Sequence, residues 1–66
     1  MTSYRVDFIN QFARYDKVYK VCQRSIVVSA ASREEATETA KKRFAELEGI
    51  RDWRIHAAMI EVVSIE

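Results

Sequence analysis

Proline is absent from this chain of 66 residues, and glycine, cysteine and histidine occur once each. With no proline and no glycine pair, nothing between the first two extended segments dictates a tight primed turn, and a loop of several residues is expected there. A single cysteine, Cys22, excludes an internal disulfide. Cys22 and His56 together fall short of the four ligands of a structural zinc site within one chain. A lone glycine likewise excludes a glycine-rich phosphate loop. Charge of one sign is also lacking: 11 Lys and Arg face 10 Asp and Glu, a formal net charge of +1, which argues against a strongly polyanion-seeking protein. No apolar run approaches the roughly 18 residues of a membrane span. Met1-Thr2-Ser3-Tyr4-Arg5 lacks the apolar core of a signal peptide, and a free thiol suits a reducing compartment. The expectation is a cytoplasmic protein without cofactor or metal and without membrane attachment.

What is present is a composition with 48% hydrophobic and 32% charged residues, ordinary for a folded protein and too apolar for disorder. A chain this small has room for one core and buries only about 60% of its unfolded surface, so its stability is marginal. With disulfide and metal set aside, oligomerisation or another partner is the remaining route to added stability.

Ser32 followed by Glu35 has the spacing of a capping box, in which the serine takes an amide of the first turn and the glutamate reaches back. It marks the junction between a β-branched run, Ile26-Val27-Val28, and a helix from Arg33 to Glu48. Ala36, Ala40, Phe44 and Leu47 form one stripe of that helix. Gly49 stops it, with Ile50 folding back in the manner of a Schellman motif. Before it, Tyr4, Val6, Phe8 and Phe12 alternate with Arg5, Asp7 and Gln11 as on a half-buried strand. The second strand runs from about Val18 to Ala30; Val21 and Ile26 have opposite parity, which a bulge between Cys22 and Ser25 reconciles. The last strand is placed at Trp53 to Ile65, with bulges near Ala57-Ala58 and Val63 to reconcile its parities. Trp53 is expected to pack at the core edge, and His56 to be a polar residue on a strand face.

The fold class is α+β. Residues 1–66 form a single β-β-α-β domain, a three-stranded, mainly antiparallel sheet with the first strand central and one helix on one face. The expected core is Val6, Phe8, Phe12, Ile26, Val28, Ala36, Ala40, Phe44, Leu47, Ile55, Ile60 and Val62.

One helix covers one sheet face. The other would carry Ile9, Tyr19, Val21 and Val27, and an open apolar face or edge is an association surface unless its residues lie singly among polar ones. A homodimer closed by a two-fold axis is the simplest use of it, with another protein as the alternative occupant. A second candidate lies in Arg14 to Arg24. There Arg14, Lys17, Lys20 and Arg24 suit phosphates, and the interleaved Tyr15 and Tyr19 suit stacking on unpaired bases. The same cations also protect a solvent-exposed hairpin from edge pairing. Cys22 on a strand reads as a small buried hydrophobe, whereas a nucleophilic role needs a base, and His56 is the one imidazole. The helix carboxylates Glu34, Glu35, Glu38, Glu46 and Glu48 read as a solvated surface.

Glu34-Glu35-Ala36 at the helix start, Leu47 and Gly49 at its end, and Ile60, Val62 and Ile65 in the last strand resemble the archaeal ribosomal protein LX. That resemblance covers about the last half of the chain and rests on structural residues. It implies the fold and a contact with ribosomal RNA, while the near-neutral charge departs from that of a basic ribosomal protein. The reading that results is a small non-catalytic interaction module, homodimeric, without enzyme activity. The alternative is a nucleic-acid-binding accessory protein using the basic and aromatic hairpin.

Overall fold

Alternation of apolar and polar side chains makes β1, Thr2–Arg14, which pairs antiparallel with β2, Lys17–Ala30. The computed structural model describes residues 1–65. β1 also pairs antiparallel with β3, Met59–Ser64, so the sheet order is β2-β1-β3 with the first strand central. One helix, α1 (Arg33–Glu48), crosses one face. The α+β architecture and the central first strand are as the sequence implies.

Local chemistry explains the ends of α1. Ser32 Oγ accepts from Glu35 N–H at 3.1 Å, and the Glu35 carboxylate reaches back to Ala31 N–H at 3.4 Å. This is a capping box closed one residue early. At the other end Gly49 adopts φ 68°, Ile50 N–H reaches the Ala45 carbonyl at 2.9 Å and Gly49 N–H that of Glu46 at 3.3 Å, the two bonds of a Schellman motif. The β2 bulge is present: Phe8 pairs with Arg24 and Ile9 with Cys22, which leaves Gln23 as the extra residue.

The core lies between α1 and one half of the sheet. Tyr4, Val6 and Phe8 of β1 and Ile26, Val28 and Ala30 of β2 are buried against Ala36, Ala40 and Phe44. Alanines on the helix let it approach the strands, and Phe44 fills the space one turn further on. Trp53 packs at the core edge, its ring edge-on to Phe8 at 6.0 Å between centroids. Ile60 and Val62 are partly buried against the same cluster, and Ala57 is buried in the connection to β3.

Several sequence expectations are corrected. The hairpin closes through Tyr15 and Asp16 alone, with φ 52° and 65°, a primed turn and not a longer loop. Two L-residues in the left-handed region replace the glycine that such a turn prefers, because the right-handed twist of the strands demands that geometry. Trp53–Ile55 is a short 3-10 turn, not strand, since Asp52 caps it by accepting from Arg54 N–H. β3 therefore starts at Met59 and runs in unbroken register from Ile9↔Met59 to Tyr4↔Ser64, without the two expected bulges. Phe12, Leu47 and Ile55 are not core: they are 55%, 55% and 61% exposed. The helix stops at Gly49, so no element covers the sheet beyond Phe8. Ile65, expected to point inward, is 44% exposed.

Candidate functional site: the hairpin arm

A helix of 16 residues spans about 24 Å, whereas the molecule is 43 Å long. The difference is a two-stranded ribbon. From Gln11 through Arg24 every residue is exposed. Such a ribbon has no core of its own, and a two-stranded hairpin alone in water is at best marginally stable.

Strand alternation assigns its faces. β1 is unbroken, so Asn10, Phe12 and Arg14 continue the face that carries Phe8 and lies under the helix. Their register partners Val21, Tyr19 and Lys17 share that face. Phe12 sits directly opposite Tyr19, and Tyr19 and Val21 are 49% and 47% exposed. At the base of this apolar strip is a groove lined by Asn10, Phe12, Gln23, Glu48, Ile55 and His56.

Glu48, the last residue of α1, organises that groove. Its carboxylate accepts from His56 Nδ1 at 3.0 Å, from Arg24 Nη2 at 3.0 Å and Nε at 3.2 Å, and from Gln23 Nε2 at 3.4 Å. The His56 bond, and after it the Arg24 guanidinium, hold the Glu48 carboxyl below its ordinary value. Asn10 Nδ2 donates to the His56 carbonyl at 2.8 Å and to Gln23 Oε1 at 3.3 Å. The bulge at Gln23 is what turns both Gln23 and Arg24 toward the helix side. Together these bonds latch the helix end, the 3-10 turn and the arm base to one another.

On the opposite face Arg5 Nε pairs with Asp7 at 3.1 Å and Ser25 Oγ donates to Asp7 at 2.7 Å. Lys20 and Glu61, on the two outer strands, meet at 3.7 Å across β1. Their register partners are Gln11 and Asp7, so Ile9 lies between them.

The residues singled out in the sequence are thus distributed over two faces. Ile9 is 6% exposed and offers no contact surface. Tyr19 and Val21 lie on the helix side of the arm, while Val27, opposite Arg5, stands alone among polar neighbours on the other side. Of the four cations, Arg24 is held by Glu48 and Lys20 by Glu61. Arg14 lies over the Tyr15 ring at 5.6 Å, and Lys17 is its register partner at the tip. Cys22 is exposed, not buried, with Sγ 3.4 Å from Ser25 Oγ. It shares the face of Ile9, whereas His56 stands at the C-terminal end of the 3-10 turn, not on a strand, and bonds Glu48 on the helix side. The sheet separates the two, and no nucleophile–base pair forms between them. Among the described residues no three of His, Cys, Asp and Glu converge as a metal cluster, and no helix is long and apolar enough to cross a membrane.

The sequence reading places Phe12 and Ile55 in the core and Glu48 on a solvated surface, whereas Phe12 and Ile55 are exposed and the Glu48 side chain is only 12% exposed and bonded to His56, Arg24 and Gln23. The available signal was a mismatch of lengths: two strands far longer than the helix meant to cover them. Compared with known proteins, the chain matches no family model, no curated protein and no solved structure. The likeness to the archaeal ribosomal protein LX stays one of pattern.

Proposed function

We propose that this protein is a non-catalytic interaction module that works as a homodimer through its hairpin arm. One observation carries the reading: Phe12, Tyr19 and Val21 form an apolar strip on one face of a ribbon that extends beyond the helix. Large apolar side chains held in water on a marginal element are stabilised when a partner covers them. The small core of the chain favours the same outcome.

The reading is tested by sedimentation velocity over a wide concentration range. The parent is expected to be a dimer at low micromolar concentration. Phe12→Ser with Tyr19→Ser is expected to shift the mass toward monomer while leaving the far-ultraviolet circular dichroism unchanged. A parent that remains monomeric at 100 µM, a chosen upper concentration, refutes the reading. The alternative, contact with nucleic acid, rests on Arg14 and Lys17 at the arm tip beside Tyr15. Mixed-sequence RNA that binds with a steep salt dependence, lost in Arg14→Glu with Lys17→Glu, would favour that alternative.

A further inference from the structure

We propose that the partner is a second copy of this chain, and that the two β1 strands pair edge to edge over Gln11–Ala13 with Phe12 on the two-fold axis. This rests on the self-association reading above and specifies its geometry.

The backbone directions come first. The Ser3 carbonyl accepts from Ile65 N–H at 3.0 Å and the Ile9 carbonyl from Ala58 N–H at 2.8 Å. Odd-numbered residues of β1 therefore point their N–H and C=O groups toward β3 and away from β2. The alternation carries this on to Gln11 and Ala13. β3 has ended by then, since its register stops at Ile9↔Met59. Gln11 and Ala13 thus present donors and acceptors along an edge to which no described strand is added.

The other two edges are defended. β2 carries the bulge at Gln23 together with Lys17, Lys20 and Arg24, and bulges and long cations discourage strand addition. On the outer edge of β3 the Val62 carbonyl is capped by Arg33 Nη2 at 2.6 Å. The open stretch of β1 has neither device.

That stretch is self-complementary. When two copies run antiparallel with Phe12 opposite Phe12, Gln11 faces the second copy's Ala13, and each pair exchanges both of its backbone hydrogen bonds. All the outward groups of Gln11 and Ala13 are then satisfied. Phe12 falls at a non-hydrogen-bonded position, where Cα atoms lie about 4.5 Å apart and side chains are closest. The apolar strips, both on the helix side, become continuous across the axis. Asn10 faces the second copy's Arg14, which brings that guanidinium to the groove holding the Glu48 carboxylate. Backbone hydrogen bonding, the apolar strips and charge agree on one register.

Disulfide trapping in a Cys22→Ser background tests it. Phe12→Cys places two sulfurs across the axis within the range a disulfide spans. Ala13→Cys places them two positions out of step, about 7–8 Å apart, and Val27→Cys puts them away from the arm. The Phe12→Cys protein is expected to oxidise to a covalent dimer at least tenfold faster than either control. Equal rates, or a faster control, overturn the proposed register even where the parent sediments as a dimer, so its failure is separable from failure of self-association. A monomeric parent overturns both. As a second probe, Ala13→Pro removes an N–H that β2 does not use. It is expected to raise the dimer dissociation constant at least tenfold with the circular dichroism unchanged, and an unchanged constant in the folded variant overturns the proposal.

Discussion

Phe8 of β1 and Phe44 of α1 lie ring over ring, with centroids 4.1 Å apart and planes within 8° of parallel. Both are fully buried, and they join the central strand to the one α-helix of the described residues. Phe44→Ala is expected to cost about 3–5 kcal/mol, combining lost transfer energy with the cavity left behind. A domain of this size has a total stability of roughly 3–10 kcal/mol. Urea denaturation followed by circular dichroism should show the variant largely unfolded or with its midpoint sharply lowered. A native-like midpoint would mean that the helix does not rest on Phe8.

Gly49 offers a cleaner test of backbone geometry. Its φ of 68° ends the helix, and a Cβ built there meets nothing within 4 Å. Any cost of Gly49→Ala is therefore conformational, on the order of 1 kcal/mol for an L-residue forced left-handed. Gly49→Asn should recover part of it, because asparagine tolerates that region. Equal midpoints for glycine and alanine in thermal melts would show that the helix end does not hold the left-handed turn.

The elements set by local chemistry were legible in the sequence. Ser32, Glu35 and Gly49 mark α1 within a residue, and the opposing parities of Val21 and Ile26 place a bulge between Cys22 and Ser25, which the strand register narrows to Gln23. The errors share a different origin. Phe12, Leu47 and Ile55 have the right spacing for a core, but burial depends on what lies opposite, and α1 ends before reaching Phe12. The primed turn at Tyr15-Asp16 has neither glycine nor asparagine, and only Asp16 favours it, so strand twist outweighs local preference at Tyr15. Asp52, a short side chain able to bond its own backbone two residues on, was the overlooked sign that Trp53–Ile55 turns instead of extending. The candidate site was legible as a region, but the face on which each residue falls followed only once Gln23 was known to be the bulge.

The turn itself yields a stabilising substitution. Tyr15 and Asp16 both sit at positive φ, a conformation costing roughly 1–2 kcal/mol for each L-residue. Tyr15→Asn with Asp16→Gly supplies residues that adopt it readily. Amide hydrogen exchange at Phe12 and Tyr19 should slow several-fold, a gain of about 1 kcal/mol in arm closure. The readout must be local, since an arm that opens independently leaves the global midpoint unmoved. Exchange that is unchanged or faster would contradict the turn geometry.

Two carboxylates make the arm base and its neighbouring turn sensitive to acid. Asp52 accepts from the Arg54 guanidinium at 2.9 Å and from Arg54 N–H at 2.9 Å, and these bonds lower its carboxyl from 3.8 to about 2. Glu48 is lowered by its bonds to His56 and Arg24. A carboxyl depressed in the folded state binds its proton more readily when unfolded. Its contribution is fully present above the unfolded value and is lost as pH falls through the folded one. For Asp52 that window runs from about 3.8 down to about 2. A carboxyl carbon titration by NMR should give Asp52 a midpoint near 2 and place Glu48 below the ordinary glutamate value. Arg54→Ala should return Asp52 toward 3.8 and leave Glu48 unmoved, because the two carboxylates have separate partners. A midpoint for Asp52 at or above 3.8 in the parent would show that the cap over the 3-10 turn does not form. A parallel shift of Glu48 in Arg54→Ala would show that the groove and the turn titrate as one unit.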